Sequence, residues 1–185
     1  MKRLLCVILI VVSLLGCSNN TGMDKALQLR SRLLQSTGCT FQVEITADYG
    51  QRQYVFSEKC ESDENNSLNF QVLEPETICG ITGVVDDSGG KLTFDNEVLA
   101  FPLLADGLLT PVSAPWILLH SLRSGYINAC EDSSDKIRII IHDTYQEIPL
   151  EVHAYCDSDY SPYFAEIFWD GRRIITLEIE SFTIV

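Results

Sequence analysis

Apolar and polar positions along this chain recur with two periods, and the changes from one to the other mark its elements. In DKALQLRSRLLQ (24–35), Ala26, Leu27, Leu29 or Arg30, Leu33 and Leu34 fall at helical spacing, with Asp24 placed to cap, which predicts a helix. TFQVEITA (40–47) then alternates as a strand does, with Phe41, Val43 and Ile45 on one face and Gln42, Glu44 and Thr46 on the other. The turn DYGQ (48–51) leads into a second strand, RQYVFSEKC (52–60). A hairpin closed over that turn sets Val43 opposite Phe56, Ile45 opposite Tyr54 and Cys39 opposite Cys60. Cysteines directly across an antiparallel pair are within bridging reach, so a Cys39–Cys60 disulfide is expected. The alternative is two buried thiols packing as small hydrophobes.

Short strands follow at LNFQVLE (68–74), ICGITGVV (78–85), GKLTFD (90–95) and EVLAF (97–101), separated by Gly, Pro, Asn and Asp turns, which predicts an antiparallel meander. TPVSAPWILLHSLRSG (110–125) changes period: Ser113 is placed to cap, Pro115 suits a first turn, and Gly125 ends the helix. Trp116, Leu118, Leu119 and Leu122 make that helix apolar enough to require burial against the sheet. Two hairpins close the chain. Across DTYQ (143–146), Ile137, Ile139 and Ile141 are set opposite Val152, Leu150 and Ile148. Around the turn Asp170-Gly171, Phe168 faces Arg173, Phe164 faces Leu177, Ile167 faces Ile174 and Trp169 faces Arg172, leaving both faces of this hairpin partly apolar.

The first apolar run, Leu4 to Gly16, is thirteen residues long, whereas crossing the hydrocarbon core takes roughly 20. Lys2 and Arg3, the apolar run and the small Gly16 make up a secretory signal peptide. Leu14-Leu15-Gly16-Cys17 resembles the lipobox of bacterial lipoproteins, which implies removal of residues 1–16, acylation of the Cys17 thiol and attachment to an outer leaflet by several acyl chains. Residues 17–23 then form the lipidated cysteine and a small, polar tether, and residues 24–185 one domain.

Losing Lys2 and Arg3 leaves 11 basic against 26 acidic residues, a net charge of −15, which excludes nucleic acid and a polybasic membrane patch as recognition modes. Five cysteines remain after Cys17: Cys39, Cys60, Cys79, Cys130 and Cys156. An odd count leaves one thiol over, and Cys130 with Cys156 is the second expected pair, since both fall near one end of the third hairpin. No catalytic constellation is present: G-x-S-x-G, C-x-x-C and a glycine-rich phosphate cradle are all missing, and DDSGGK (86–91) reads as a turn. His142 and His153 lie on strands that pair, so a two-histidine metal site with Asp143 or Glu151 is one reading, and ordinary surface or edge histidines the commoner one. The acidic groups at 131–135 and 157–159 lack the spacing of a calcium loop and read as solvated turns. No metal and no cofactor are assigned.

Three segments carry a resemblance: FQVLEPETICGITG (70–83), KLTFDNEVLAF (91–101) and LLTPVSAPWILLHSLRSGYI (108–127). They look like the V-x-x-P-E-x-I-x-G segment, the following hairpin and the SPV-x-A-x-x-x-L helix of LolA-like lipoproteins from Gram-positive bacteria. The resemblance implies an α+β fold: an incomplete antiparallel β-barrel, or curved sheet, with helices covering its concave face. It also implies a non-enzymatic, lipid-anchored extracytoplasmic protein that holds an acyl chain, another hydrophobic ligand or a protein partner on that sheet. Relatives of the GerS type, from clostridial spores, imply an alternative, a scaffold supporting a cell-wall amidase in germination. A metal- or thiol-dependent enzyme is a further class without residue support. Trp116, Leu119, Leu122, Phe164, Phe168, Ile175 and Leu177 exceed what one small layer needs and are the expected lining of a hydrophobic site, with ordinary core the alternative for each.

Overall fold

The computed structural model describes residues 21–105, 108–133, 136–145 and 148–185. The expected signal peptide, Cys17 and residues 18–20 lie outside them. Helix α1 (Thr21–Gln35) begins three residues before the expected Asp24, so residues 21–23 are helical rather than tether. It buries Ala26, Leu29 and Leu33, while Leu27 and Leu34 remain 49% and 62% exposed. The apolar stripe is thus narrower than its sequence pattern.

After α1 come β1 (Gly38–Asp48), β2 (Gln53–Asp63), β3 (Leu68–Glu74), β4 (Thr82–Asp86), β5 (Gly89–Phe94) and β6 (Glu97–Phe101). A short hairpin of β7 (Leu104–Ala105) and β8 (Leu108–Leu109) and a 3-10 turn at Pro111–Ser113 precede α2 (Ala114–Ser124). The chain ends with β9 (Tyr126–Ser133), β10 (Lys136–Tyr145), β11 (Ile148–Cys156), β12 (Pro162–Trp169) and β13 (Arg172–Ile184). Eleven strands form one antiparallel sheet in the order β6-β5-β4-β3-β2-β1-β13-β12-β11-β10-β9. Two meanders are therefore joined where the first strand meets the last. The segment after β6 must travel from one edge of the sheet to the other, and α2 is the strap that does so. Crossing the inner face buries Trp116, Ile117, Leu118, Leu119 and Leu122, and burying a large apolar side chain contributes about 1.5–3 kcal/mol.

Gly125 follows α2, but at φ −63° it is not in the left-handed conformation. It is required because a Cβ there would lie 2.4 Å from Ile141 Cγ2. Arg30 of α1 reaches over this end, donating from Nε to the Leu122 carbonyl (2.7 Å) and from Nη2 to that of Gly125 (2.7 Å). A guanidinium on the free carbonyls of a helix C-terminus complements its dipole and ties the two helices together.

Three registers differ from expectation. In β1–β2, Ile45 faces Phe56, Val43 faces Glu58, Phe41 faces Cys60 and Cys39 faces Ser62. The turn lies one residue later than expected because Asp48 Oδ1 accepts from the backbone of Gly50 (2.7 Å), which sits at φ 85°. In β10–β11, Ile137, Ile139 and Ile141 face Cys156, Ala154 and Val152, since β10 runs on through Tyr145. Both shifts are even, so the same residues stay on the inner face. In β12–β13, Phe168–Arg173 and Trp169–Arg172 pair as expected, but a bulge after Ile167 sets Ile167 opposite Ile175 and Phe164 opposite Glu178.

These registers remove both expected disulfides. Cys39 and Cys60 are buried free thiols, and Cys39 Sγ lies 3.1 Å from Ser62 Oγ. Cys130 and Cys156 are also free and sit on β9 and β11 with β10 between them. Two strand spacings are about 9.5 Å, beyond a disulfide's Cα reach.

Candidate functional site

Where α2 crosses, the concave face is filled. Of the expected lining, Trp116, Leu119, Leu122, Ile175 and Leu177 are all core. The Trp116 indole donates to the Asn66 carbonyl (2.7 Å), and the void beside it, among Leu103, Ile117 and Leu150, is only about 20 Å³. Phe164 and Phe168 lie on the opposite, outer face, where they pack against Tyr155 and His153 at ring separations of 5.4 and 4.5 Å. The expected cavity lining is therefore divided between the interior and the outside of the sheet, and none of it forms a site.

The open space lies elsewhere, where β1 ends and β2 begins. A groove of about 740 Å³ runs among Tyr49, Phe56, Val72, Ile78, Ile81 and Leu92, with Arg52 and Gln51 at its mouth and Leu109 to Val112 along one side. That volume is within the range of small-molecule sites. Local backbone bonds build its far wall. Val72 donates to the Ile81 carbonyl (2.8 Å), Gly80 to Val72 (2.9 Å) and Ile78 to Pro75 (3.0 Å), folding residues 75–81 back beside β3. Ile78 and Ile81 thereby flank Val72, in the PETICGI segment within which the sequence resemblance lies; residues 78–80 are turn and the strand starts at Thr82, later than the expected Ile78. The near wall is fixed by Tyr49, whose hydroxyl donates to the Leu109 carbonyl. Burial, then the neighbouring Tyr54, pushes its phenol up to about 12. Cys79 is an exposed thiol between Ile78 and Gly80.

The floor is open because glycines and aromatic rings replace a covering helix. Phe70 faces Gly83 across β3–β4, and Phe101 faces Gly90 across β5–β6. A Cβ at Gly83 would lie 2.4 Å from the Phe70 ring, and one at Gly90 would lie 2.0 Å from that of Phe101. Each ring lies over its glycine, covering backbone that helices do not reach. Leu99, opposite Leu92, is left 61% exposed.

One polar group stands inside this half of the core. Glu58 is 0% exposed, between Val43 and Val72, and its Oε1 has no hydrogen-bond partner. Oε2 has the Cys60 thiol 4.0 Å away. Burial drives its carboxyl well above the usual range, which favours the neutral acid. An unsatisfied buried group of this kind costs about 1–3 kcal/mol.

A second cavity, about 600 Å³, lies at the other end of the strands between the C-terminus of α1, residues 64–66 and α2. It is walled by polar groups including Glu64, Asn66, His120 and Arg123. His120 stacks on Trp116 at 4.8 Å and its Nδ1 meets the Asn66 amide at 3.0 Å. It is a polar cleft.

The paired histidines do meet around one carboxylate. His142 Nε2 is 3.0 Å from Glu151 Oε2, and His153 Nε2 contacts Oε1 of the same group. His142 stands opposite Glu151, while Asp143 accepts instead from Ser121 on the inner side (3.0 Å). Arg138 donates to His153 Nδ1 (2.9 Å), so Nε2 carries the proton and faces Glu151 as a donor, leaving no lone pair there for a metal. Among the described residues, no group of three or more His, Cys, Asp and Glu is arranged to hold a metal ion. Beside this network Glu166 accepts from Arg173 (2.6 Å) and Tyr155 (2.9 Å). Burial opposes its ionisation, but those hydrogen bonds outweigh it and hold the carboxyl below its usual range.

An open antiparallel sheet, curved around helices on one face, is the LolA-like fold. The chain is similar in structure to an outer membrane lipoprotein-sorting protein domain from Vibrio parahaemolyticus, at 9% identity and TM-score 0.51, over 89% of this chain and 92% of that one. It is also similar to a LolA superfamily protein from Nitrosomonas europaea, at 10% identity and TM-score 0.46, over 89% and 93%. A third similar structure is that of the CwlD amidase from Clostridioides difficile in complex with the GerS lipoprotein, at 10% identity and TM-score 0.39, over 87% and 93%. No family model and no curated protein matches the sequence.

Proposed function

We propose that this chain is a lipid-anchored extracytoplasmic binding protein whose groove between the β1–β2 turn and residues 75–81 holds an apolar ligand. The observation that carries the reading is the groove itself: about 740 Å³ of space walled by Tyr49, Phe56, Val72, Ile78, Ile81 and Leu92, in a molecule whose concave face beneath α2 is filled by core side chains. The sequence Leu14-Leu15-Gly16-Cys17 supports the anchor. Because α2 and its neighbours fill the concavity, the ligand lies along the open end rather than beneath the helices. Two measurements test this. Mass spectrometry of the full chain expressed in a bacterium should find a mature N-terminus at acylated Cys17, and Cys17→Ser should release the protein from membranes. The purified domain should bind cis-parinaric acid, with Ile81→Ala weakening binding about tenfold, the value of roughly two buried methylenes. Absence of binding by the unaltered domain would overturn the groove reading.

A scaffold for a cell-wall amidase is the second reading. The outer strand favours it: β6 is an edge whose Val98 and Leu99 are 65% and 61% exposed, a surface suited to a protein neighbour. Co-purification of an amidase from membranes, lost on replacing Val98 and Leu99 with Lys, supports it.

A further inference from the structure

The orphaned carboxyl of Glu58 and the apolar groove are neighbours. Val72, directly across from Glu58 on β3, lines the groove, and so does Phe56, the next inward-facing residue of β2. Glu58 therefore lies one strand step, about 6.6 Å, behind the floor. Its partners across the strands are Val43 and Val72, which supply no counter-charge, and its Oε1 accepts from nothing. A structural carboxyl would have an Arg, a Lys or a set of backbone donors; this one has only the Cys60 thiol, 4.0 Å from Oε2.

We infer that Glu58 is the polar recognition group of the groove, contacting the uncharged hydroxyl head of an amphiphile whose alkyl chain occupies the space between Phe56, Ile81 and Leu92. A neutral carboxyl offers one acceptor and one donor, the complement of an alcohol hydroxyl. A carboxylate-headed ligand would bring a charge into dry surroundings without a counter-ion, which disfavours fatty-acid anions. Contact with the head requires the Phe56 ring, 6% exposed at the floor, to turn aside. This inference rests on the groove being a binding site.

The test compares decanol, decane and decanoate, read by the fluorescence of an environment-sensitive dye on Cys79, the exposed thiol at the rim. The unaltered domain should prefer decanol to decane by about tenfold, the value of one buried hydrogen bond, and bind decanoate more weakly than decanol. Glu58→Leu should keep decane binding, lose the preference and melt at a higher temperature. Glu58→Gln, which retains a donor and an acceptor in the same shape, should keep much of the preference. If Glu58→Leu leaves the preference intact or lowers the melting temperature, Glu58 is not the recognition group, while the groove reading stands. If the unaltered domain binds neither alcohol nor alkane, both readings fall.

Discussion

The two halves of this sheet solve the same covering problem differently. From β9 to β13, and over β1, the inner face meets helices, and Ile139, Ile141, Val152, Ile167, Ile175 and Leu177 are each 1% exposed or less. Toward β6 the cover thins: Leu68, Phe70, Val72 and Val85 are still buried, but Gly83 and Gly90 lie beneath aromatic rings while Leu92 and Leu99 stay at the surface or in the groove. Both halves have alternating strands, so alternation alone does not make a core. What differs is the strap: α2 spans the sheet between its two edges but lies over only part of it. Space is left where the strap does not lie, and binding is assigned there.

Substitutions separate the halves by size of effect. In the packed half, Leu118→Ala should cost about 2–5 kcal/mol in urea denaturation, because a fully buried leucine leaves a cavity. Leu99→Ala, the matching truncation in the open half, should change stability by about 0.5 kcal/mol or less. Equal losses would show that the open half is packed in solution. Next in size is Gly83→Ala, expected to cost about 1–3 kcal/mol by overpacking, since the added methyl meets both the Phe70 ring and the Lys91 carbonyl, 2.5 Å away. Amide exchange should then accelerate in β3 to β6 and stay unchanged in β10 to β13.

Glu58 also sets a pH dependence in the open half. Glu58 holds its proton in the folded state far above its ordinary value of 4.5. Above that pH the unfolded chain binds fewer protons than the folded one, so stability is complete below about 4.5 and falls as pH rises, by at most ~1.4 kcal/mol per unit from this group. Denaturation at pH 5 and pH 7 should show the decline, and Glu58→Gln should remove it. An unaltered slope in Glu58→Gln would mean that Glu58 has a partner in solution.

Much of this architecture was readable from the chain. LNFQVLE and EVLAF are strands over the residues expected, and the apolar stretch after Pro115 is the buried helix. β9 was not readable, because YINACEDS does not alternate and ends in acidic residues; it is a strand because β10 offers it an edge. The groove was not readable either. Its walls come from β2, β3 and β5, from the β1–β2 turn and from residues 78–81 and 109–112, far apart in sequence, and half-buried Ile78, Ile81 and Leu92 carry the same pattern as core residues. Glu58 was legible only as a polar residue on an inward-facing position, between Phe56 and Cys60, because periodicity does not show whether a distant partner reaches it.

Period and composition determined which residues point inward and that a greasy helix needs a sheet to cover it, because these depend on local geometry and on the cost of exposing apolar surface. Tertiary structure alone decided which inward positions α2 covers, that the four cysteines expected to pair stand unbridged, and that a carboxyl is shut inside with one oxygen unpaired. Those outcomes depend on where distant strands meet, and a shift of two residues changes every cross-strand neighbour while leaving the periodicity untouched.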